Sequence, residues 1–176
     1  DIAGGNTPLS DGRGGTGSDK KSLFVTGKNT LRITKEALHS LSTKVKSIRL
    51  SVKDGSVSLR VKELKDVTDG TSYLKIIKKN NAKAVKKVLK NKKYAGFKAA
   101  YGGGLYDVKL VVDGKNITKT ASKLTVSLKT GKVEKGSVYV LNLQTGKKIK
   151  AKYDKKTKSV VFGTRELGKF VVTLKK

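Results

Sequence analysis

The feature that most limits what this chain can become is a rhythm that sets in after Gly104. The segments LYDVKLVV, SKLTVSL, SVYVLNL, KKIKAKY, SVVFGT and KFVVTL follow one another at intervals of roughly ten residues. Between them stand Asp113-Gly114, Thr130-Gly131, Thr145-Gly146, Asp154-Lys155 and Glu166-Leu167-Gly168. Successive side chains of a strand point to opposite faces, so each alternating segment can bury one face and wet the other. Short strands repeated at even spacing, with turn residues between them, predict an antiparallel β-sandwich or open barrel.

Upstream the pattern is mixed. FVTGKNTLRIT reads as two short strands around Gly27-Lys28-Asn29. Thr34 then stands where an N-cap belongs, with Glu36 near the positive end of the helix dipole. Ala37, Leu38, Leu41 and Val45 recur at helical spacing and form one apolar face. SIRLSV and SVSLRV flank Lys53-Asp54-Gly55, and alternating segments around Asp-Gly predict a hairpin. SYLKIIKK reads as a further strand. Asn80 or Asn81 can cap a second helix, with Ala82, Val85, Val88 and Leu89 inward and Lys83, Lys86, Lys87 and Lys90 outward.

The expected fold is therefore mainly β, of the α+β kind. A helix and hairpin region with a second short helix precedes an antiparallel sandwich or open barrel. With 176 residues the chain can form one ordinary domain or two small ones sharing a surface. Residues 1–22 hold the only proline and little to bury, which predicts a flexible arm or linker. The rival use of such an arm is to pair with the open sheet edge of a neighbouring copy. Gly102-Gly103-Gly104 is the best internal boundary, dividing an α+β subdomain at 23–101 from a sandwich subdomain at 102–176.

Charge bounds the partners. Lysine and arginine number 41 against 13 acidic residues, for a formal net charge of +28. A field of that sign attracts nucleic acid, acidic polysaccharide, teichoic acid or an anionic membrane surface, and it weakens as salt rises. The bland alternative is compositional drift in a genome whose codons favour lysine. Zero cysteine excludes disulfides, thiolate metal sites and thiol catalysis. No methionine opens the chain and no long apolar run occurs in it, so the expectation is a mature secreted segment that does not insert into a membrane.

The succession ITKEALHSL, SIRLSVKDGSVSLRVKEL, LYDVKLVVDGKNI, KLTVSL, SVYVLNLQTGKKIKAKYDKKTKSVVF and KFVV resembles a β-rich module found near the ends of multidomain secreted and surface-layer proteins of Gram-positive anaerobes. The resemblance covers about 150 residues, and its most specific tract runs from Val138 to Phe162. Two departures stand out. Such modules usually carry a histidine-phenylalanine-serine turn where this chain has Gly163 to Gly168, and they are often acidic where this one is basic. The resemblance implies a non-catalytic module, secreted or at the cell surface, and speaks less to ligand than to fold and place.

Catalytic patterns are sparse. His39, the single histidine, lies within the first expected helix and suits a surface or boundary position better than a triad or a metal. Carboxylates occur singly, and Asp54-Gly55, Asp69-Gly70 and Asp113-Gly114 read as turns rather than as a calcium loop. The triple glycine lacks the lysine-serine or lysine-threonine step of a phosphate loop. Asn116-Ile117-Thr118 fits the glycosylation sequon, a three-residue pattern that chance supplies. No enzyme activity, cofactor or metal is expected.

What remains is the acid-free stretch ending at the triple glycine. The candidate polyanion contacts are Lys75, Lys78, Lys79, Lys83, Lys86, Lys87, Lys90, Lys92, Lys93 and Lys98. Tyr94, Phe97 and Tyr101 recur three and four residues apart; Phe97 is assigned to the core, while Tyr94 and Tyr101 are candidates for stacking on a ligand or for the core. The five arginines are scattered, and arginine rather than lysine is the usual reader of guanine. Lysine acts as a point charge, which suits sequence-blind attachment to uronate, sulfate or phosphate polymers. The leading expectation is thus binding of acidic polysaccharide or a wall polymer. A self-assembling surface layer or filament subunit, joined through residues 1–22, is the second. Non-specific nucleic-acid binding is the third.

Overall fold

In the computed structural model, which describes residues 21–41, 44–68, 71–101 and 104–176, alternation becomes strand almost wherever it occurs. The elements in chain order are β1 (Ser22–Phe24), β2 (Thr30–Arg32), α1 (Lys35–His39), β3 (Ser47–Val52), β4 (Gly55–Arg60), β5 (Tyr73–Asn80), α2 (Ala82–Leu89) and β6 (Phe97–Ala99). They continue with β7 (Gly104–Val112), β8 (Lys115–Asn116), β9 (Lys119–Lys129), β10 (Val138–Asn142), β11 (Lys148–Lys150), β12 (Lys152–Asp154), β13 (Ser159–Glu166) and β14 (Lys169–Lys175). Single 3-10 turns occupy Val61–Leu64 and Lys92–Tyr94. The protein is mainly β, as expected.

The strands form two sheets. One has six strands in the order β1-β3-β4-β9-β13-β12; the other has eight, along β11-β10-β14-β7-β5-β2, with β6 paired to β14 and β8 to β7. Every described pairing is antiparallel except β1 with β3. A parallel neighbour needs a long crossover. Here the chain between β1 and β3 supplies it, placing β2 in the opposite sheet on the way.

One face of each sheet meets the other across a shared core. Leu50, Val57, Val126 and Val160 come from the six-stranded sheet, and Leu74, Tyr106, Val140 and Phe170 from the eight-stranded one. The rings of Phe162 and Phe170 meet edge to face across the gap, with centroids 5.1 Å apart. Each such fully buried side chain contributes about 1.5–3 kcal/mol. Tyr106 adds a polar tie between the sheets, donating from its hydroxyl to the Lys129 carbonyl at 2.6 Å.

The boundary expected at the triple glycine does not separate two bodies. Strands from 23–101 and from 102–176 lie side by side in both sheets, β4 against β9 and β5 against β7. Long-range pairing thus interleaves the two halves around one core. Ser22, assigned to the arm, opens β1 instead, where it pairs with Arg49. Residues 1–20 and the arm's expected crossing to a neighbour lie outside the described residues, as does Asp69-Gly70.

Local details follow from the residues. Thr34 caps α1 by accepting from the Ala37 amide at 3.0 Å, but the helix ends at His39, so Val45 lies beyond it. The β3–β4 hairpin turns on Lys53 and Asp54, with Val52 opposite Gly55. Gly55 sits within the strand because a Cβ there would meet the Ser127 carbonyl oxygen at 2.3 Å. Asp113 and Gly114, by contrast, both take positive φ, 51° and 77°, the two-residue geometry that matches sheet twist. KKIKAKY is not one strand. Its first half joins β10 and its second half joins β13, with Ala151 as the step between the sheets.

Candidate polyanion-binding surface

The second helix is built as its sequence demands. The Asn81 side chain accepts from the Ala84 amide at 3.0 Å and so satisfies one of the orphan donors of the first turn. Val85 is buried, and Val88 and Leu89 are half-buried. Ala82, expected to face inward, is exposed at the start of the helix. Val88 and Leu89 pack on a small apolar cluster of Tyr94, Phe97 and Leu141, flanked by Tyr139 and Leu143. In β10, Tyr139 and Leu141 alternate with Val138 and Val140 of the main core, so α2 lies on the outer face of the eight-stranded sheet.

On the solvent side of α2, Lys83, Lys86, Lys87 and Lys90 are all exposed. Three- and four-residue spacing puts them on one face. Lys92 and Lys93 of the following 3-10 turn are exposed as well. The structure adds neighbours that the sequence left apart. The Lys93 Nζ lies beside Gly146, where a Cβ would sit 2.8 Å from it, and the Lys148 Nζ stands 5.9 Å from the Phe97 ring centroid. Exposed Lys148 and Lys150 of β11 therefore extend the ridge. No acidic residue occurs in α2, the Lys92–Tyr94 turn, β6 or β11. Lys147 pairs with Glu166, and among the described residues the ridge lysines have no carboxylate partner.

Four expected contacts sit elsewhere. Lys98 of β6 is exposed but stands opposite the core residue Leu174 of β14, on the side of the sheet away from α2. Lys75 and Lys79 of β5 face the same side as α2, but Lys78 does not, because strand alternation aligns it with core residues Leu74 and Ile76. Its Nζ lies 5.6 Å from the Tyr101 ring centroid and 5.9 Å from that of Tyr106. Tyr94 is only 4% exposed and belongs to the apolar cluster under α2, so it offers no stacking face. Tyr101 is half-buried, and its hydroxyl is hydrogen-bonded to that of Tyr106. The three aromatic residues are not on one helix: Tyr94 ends a 3-10 turn and Phe97 opens a strand.

Burial pushes the Tyr101 phenol up to about 12; its hydrogen bond with Tyr106 pulls the other way, and the charge of Asp54 adds to the rise. Tyr106 is driven higher still, mainly by burial and then by its bond to Tyr101. Both are neutral structural groups at ordinary pH. Among the described residues no large hydrophobic side chain is exposed, and no group of three histidine, cysteine or acidic residues could hold a metal ion. His39 is exposed at the end of α1. No helix of the described residues is long and apolar enough to cross a membrane.

Fold and surface together define a two-sheet, mainly β protein with a lysine ridge laid over its larger sheet. No family model, curated protein or solved structure matches the chain.

Proposed function

We propose that the protein is a non-catalytic module that attaches to acidic polysaccharide, outside the cell or in its wall, through the lysine ridge of α2, the Lys92–Tyr94 turn and β11. The observation that carries this reading is the gathering of exposed lysines on elements that contain no carboxylate. A linear polyanion can meet several of these charges at once, and each contact displaces counterions. Neutral glucans are poorer ligands, because no exposed aromatic ring offers a sugar-stacking surface among the described residues. Single-stranded nucleic acid lacks the same stacking platform and is left with backbone attraction alone.

The test is titration with polygalacturonate, a neutral glucan and duplex DNA at low and at physiological salt. Binding to polygalacturonate that outlasts DNA binding as salt rises, with no glucan binding, is the expected result. Equal affinity for all three, or none for polygalacturonate, defeats the proposal.

A further inference from the structure

On the same outer face of the eight-stranded sheet as α2 lies a depression of 230 Å³. Its polar walls are Asp107 and Lys109 of β7, Asn116 of β8 with the adjacent Thr118, Gln144 of the β10–β11 turn, and Lys169 of β14. Asp107 alternates along β7 with the core residues Tyr106 and Val108, and it stands directly opposite Lys169 in the β7–β14 pairing. Despite that register the two form no ion pair. Among the described residues, none of the six side chains has a hydrogen-bond or ion-pair partner.

Three backbone amides around the depression are, in contrast, already paired. The Val108 amide donates to the Gly168 carbonyl, the Leu167 amide to the Thr118 carbonyl and the Leu143 amide to the Lys169 carbonyl, all at 2.9 Å. Gly168 lies against the Gln144 side chain. Its φ is 155°, and a Cβ there would stand 1.9 Å from the Gln144 Oε1. Any other residue would displace Gln144, which lies over the glycine.

The chemistry of the wall is specific. Asp107 only accepts, the two ammonium groups only donate, and the two amides and the hydroxyl do both. A small inorganic anion would meet the Asp107 carboxylate, and a neutral sugar would leave both ammonium groups unanswered. A sugar ring bearing one carboxylate answers both, with ring hydroxyls donating to Asp107 and its carboxylate taking Lys109 and Lys169.

We infer that this depression is a subsite for a single uronate residue, recognised by directional hydrogen bonds where the neighbouring ridge acts by charge alone. The choice of ligand rests on the acidic-polysaccharide reading, but the two sites are separable by experiment.

The probe is digalacturonate, followed by backbone amide shifts, with the neutral disaccharide maltose and sodium sulfate as comparison ligands. Saturable shifts centred on Lys109, Asn116, Lys169 and their neighbours, with roughly millimolar affinity, are expected for digalacturonate alone. Gln144→Ala, an exposed position outside the core, should weaken the disaccharide about tenfold, the loss of one or two good hydrogen bonds. Asp107→Asn should also weaken it, whereas loss of a carboxylate would strengthen binding driven by charge alone. Polymer binding through α2 should survive both substitutions. Conversely, a protein with Lys83, Lys86, Lys87 and Lys90 changed to glutamine should keep the disaccharide site. Failure of polymer binding with the disaccharide shifts intact would sink the ridge and spare the subsite. Shifts spread over α2, equal shifts with maltose or sulfate, or tighter binding by Asp107→Asn would overturn the subsite.

Discussion

Two hydrogen-bonded phenols, Tyr101 and Tyr106, have pKa values raised by burial and so make the fold sensitive to alkali. A tyrosine whose folded pKa lies above its unfolded value of 10.0 lends stability that is complete below pH 10 and is lost as pH rises through the folded value, about 12 for Tyr101. The groups around Tyr101 are Tyr106, Lys78 and Asp54. Comparison with Tyr101→Phe isolates the phenol. In urea unfolding from pH 9 to 12, the wild type should lose stability faster above pH 10 than the variant does; parallel curves would contradict this account. At this scale the sequence was legible in residue type and illegible in direction. Lys83, Lys86, Lys87 and Lys90 project outward as their helical spacing requires. Lys78 was harder to place, because adjacent Ile76 and Ile77 hide which parity of β5 faces the core; it stands on the core side, opposite Tyr106. Likewise Tyr94 and Tyr101 share a spacing that suits a helix, but the chain there forms a 3-10 turn and a strand.

Hairpins obey local chemistry until the opposite strand intrudes. Asp113-Gly114 adopts the conformation its dipeptide prefers, whereas Gly55 lies in a strand and serves the close approach of β9. Gly55→Ala should therefore destabilise the protein by about 1–3 kcal/mol, the scale of overpacking. Gly96→Ala is the control: a Cβ there meets nothing within 4 Å, and stability should stay within about 0.5 kcal/mol of wild type. Thermal or urea unfolding of the two variants distinguishes them, and equal losses would contradict the packing argument. The two capped helices and most strands were readable from caps and alternation. KKIKAKY was not, because Ile149, Ala151 and Tyr153 keep one parity and all pack against the core while the backbone changes sheets at Ala151. Side-chain periodicity carries no information about which edge a strand joins.

At the scale of the molecule, the fold class was legible because even strand spacing is a local signal, while the interleaving of 23–101 with 102–176 depends on long-range pairing that no local pattern reveals. The same limit hid Lys148 and Lys150, which reach the ridge only through the β10–β11 hairpin. A protein with a formal charge of +28 will attract polyanions from every side, so the central claim is that one region binds beyond what the general field supplies. Two variants of equal net charge decide it. In one, Lys83, Lys86, Lys87 and Lys90 of α2 become glutamine; in the other, Lys123, Lys129, Lys152 and Lys155, all exposed on the six-stranded sheet and its β12–β13 turn, do so. At roughly 0.2–1 kcal/mol for each exposed contact, losing four from the ridge should weaken polygalacturonate binding at physiological salt by about tenfold or more. The ridge variant is predicted to show that loss while its counterpart binds within about twofold of wild type; equal losses in the two would mean that the lysines act as a diffuse field and that α2 is no binding site.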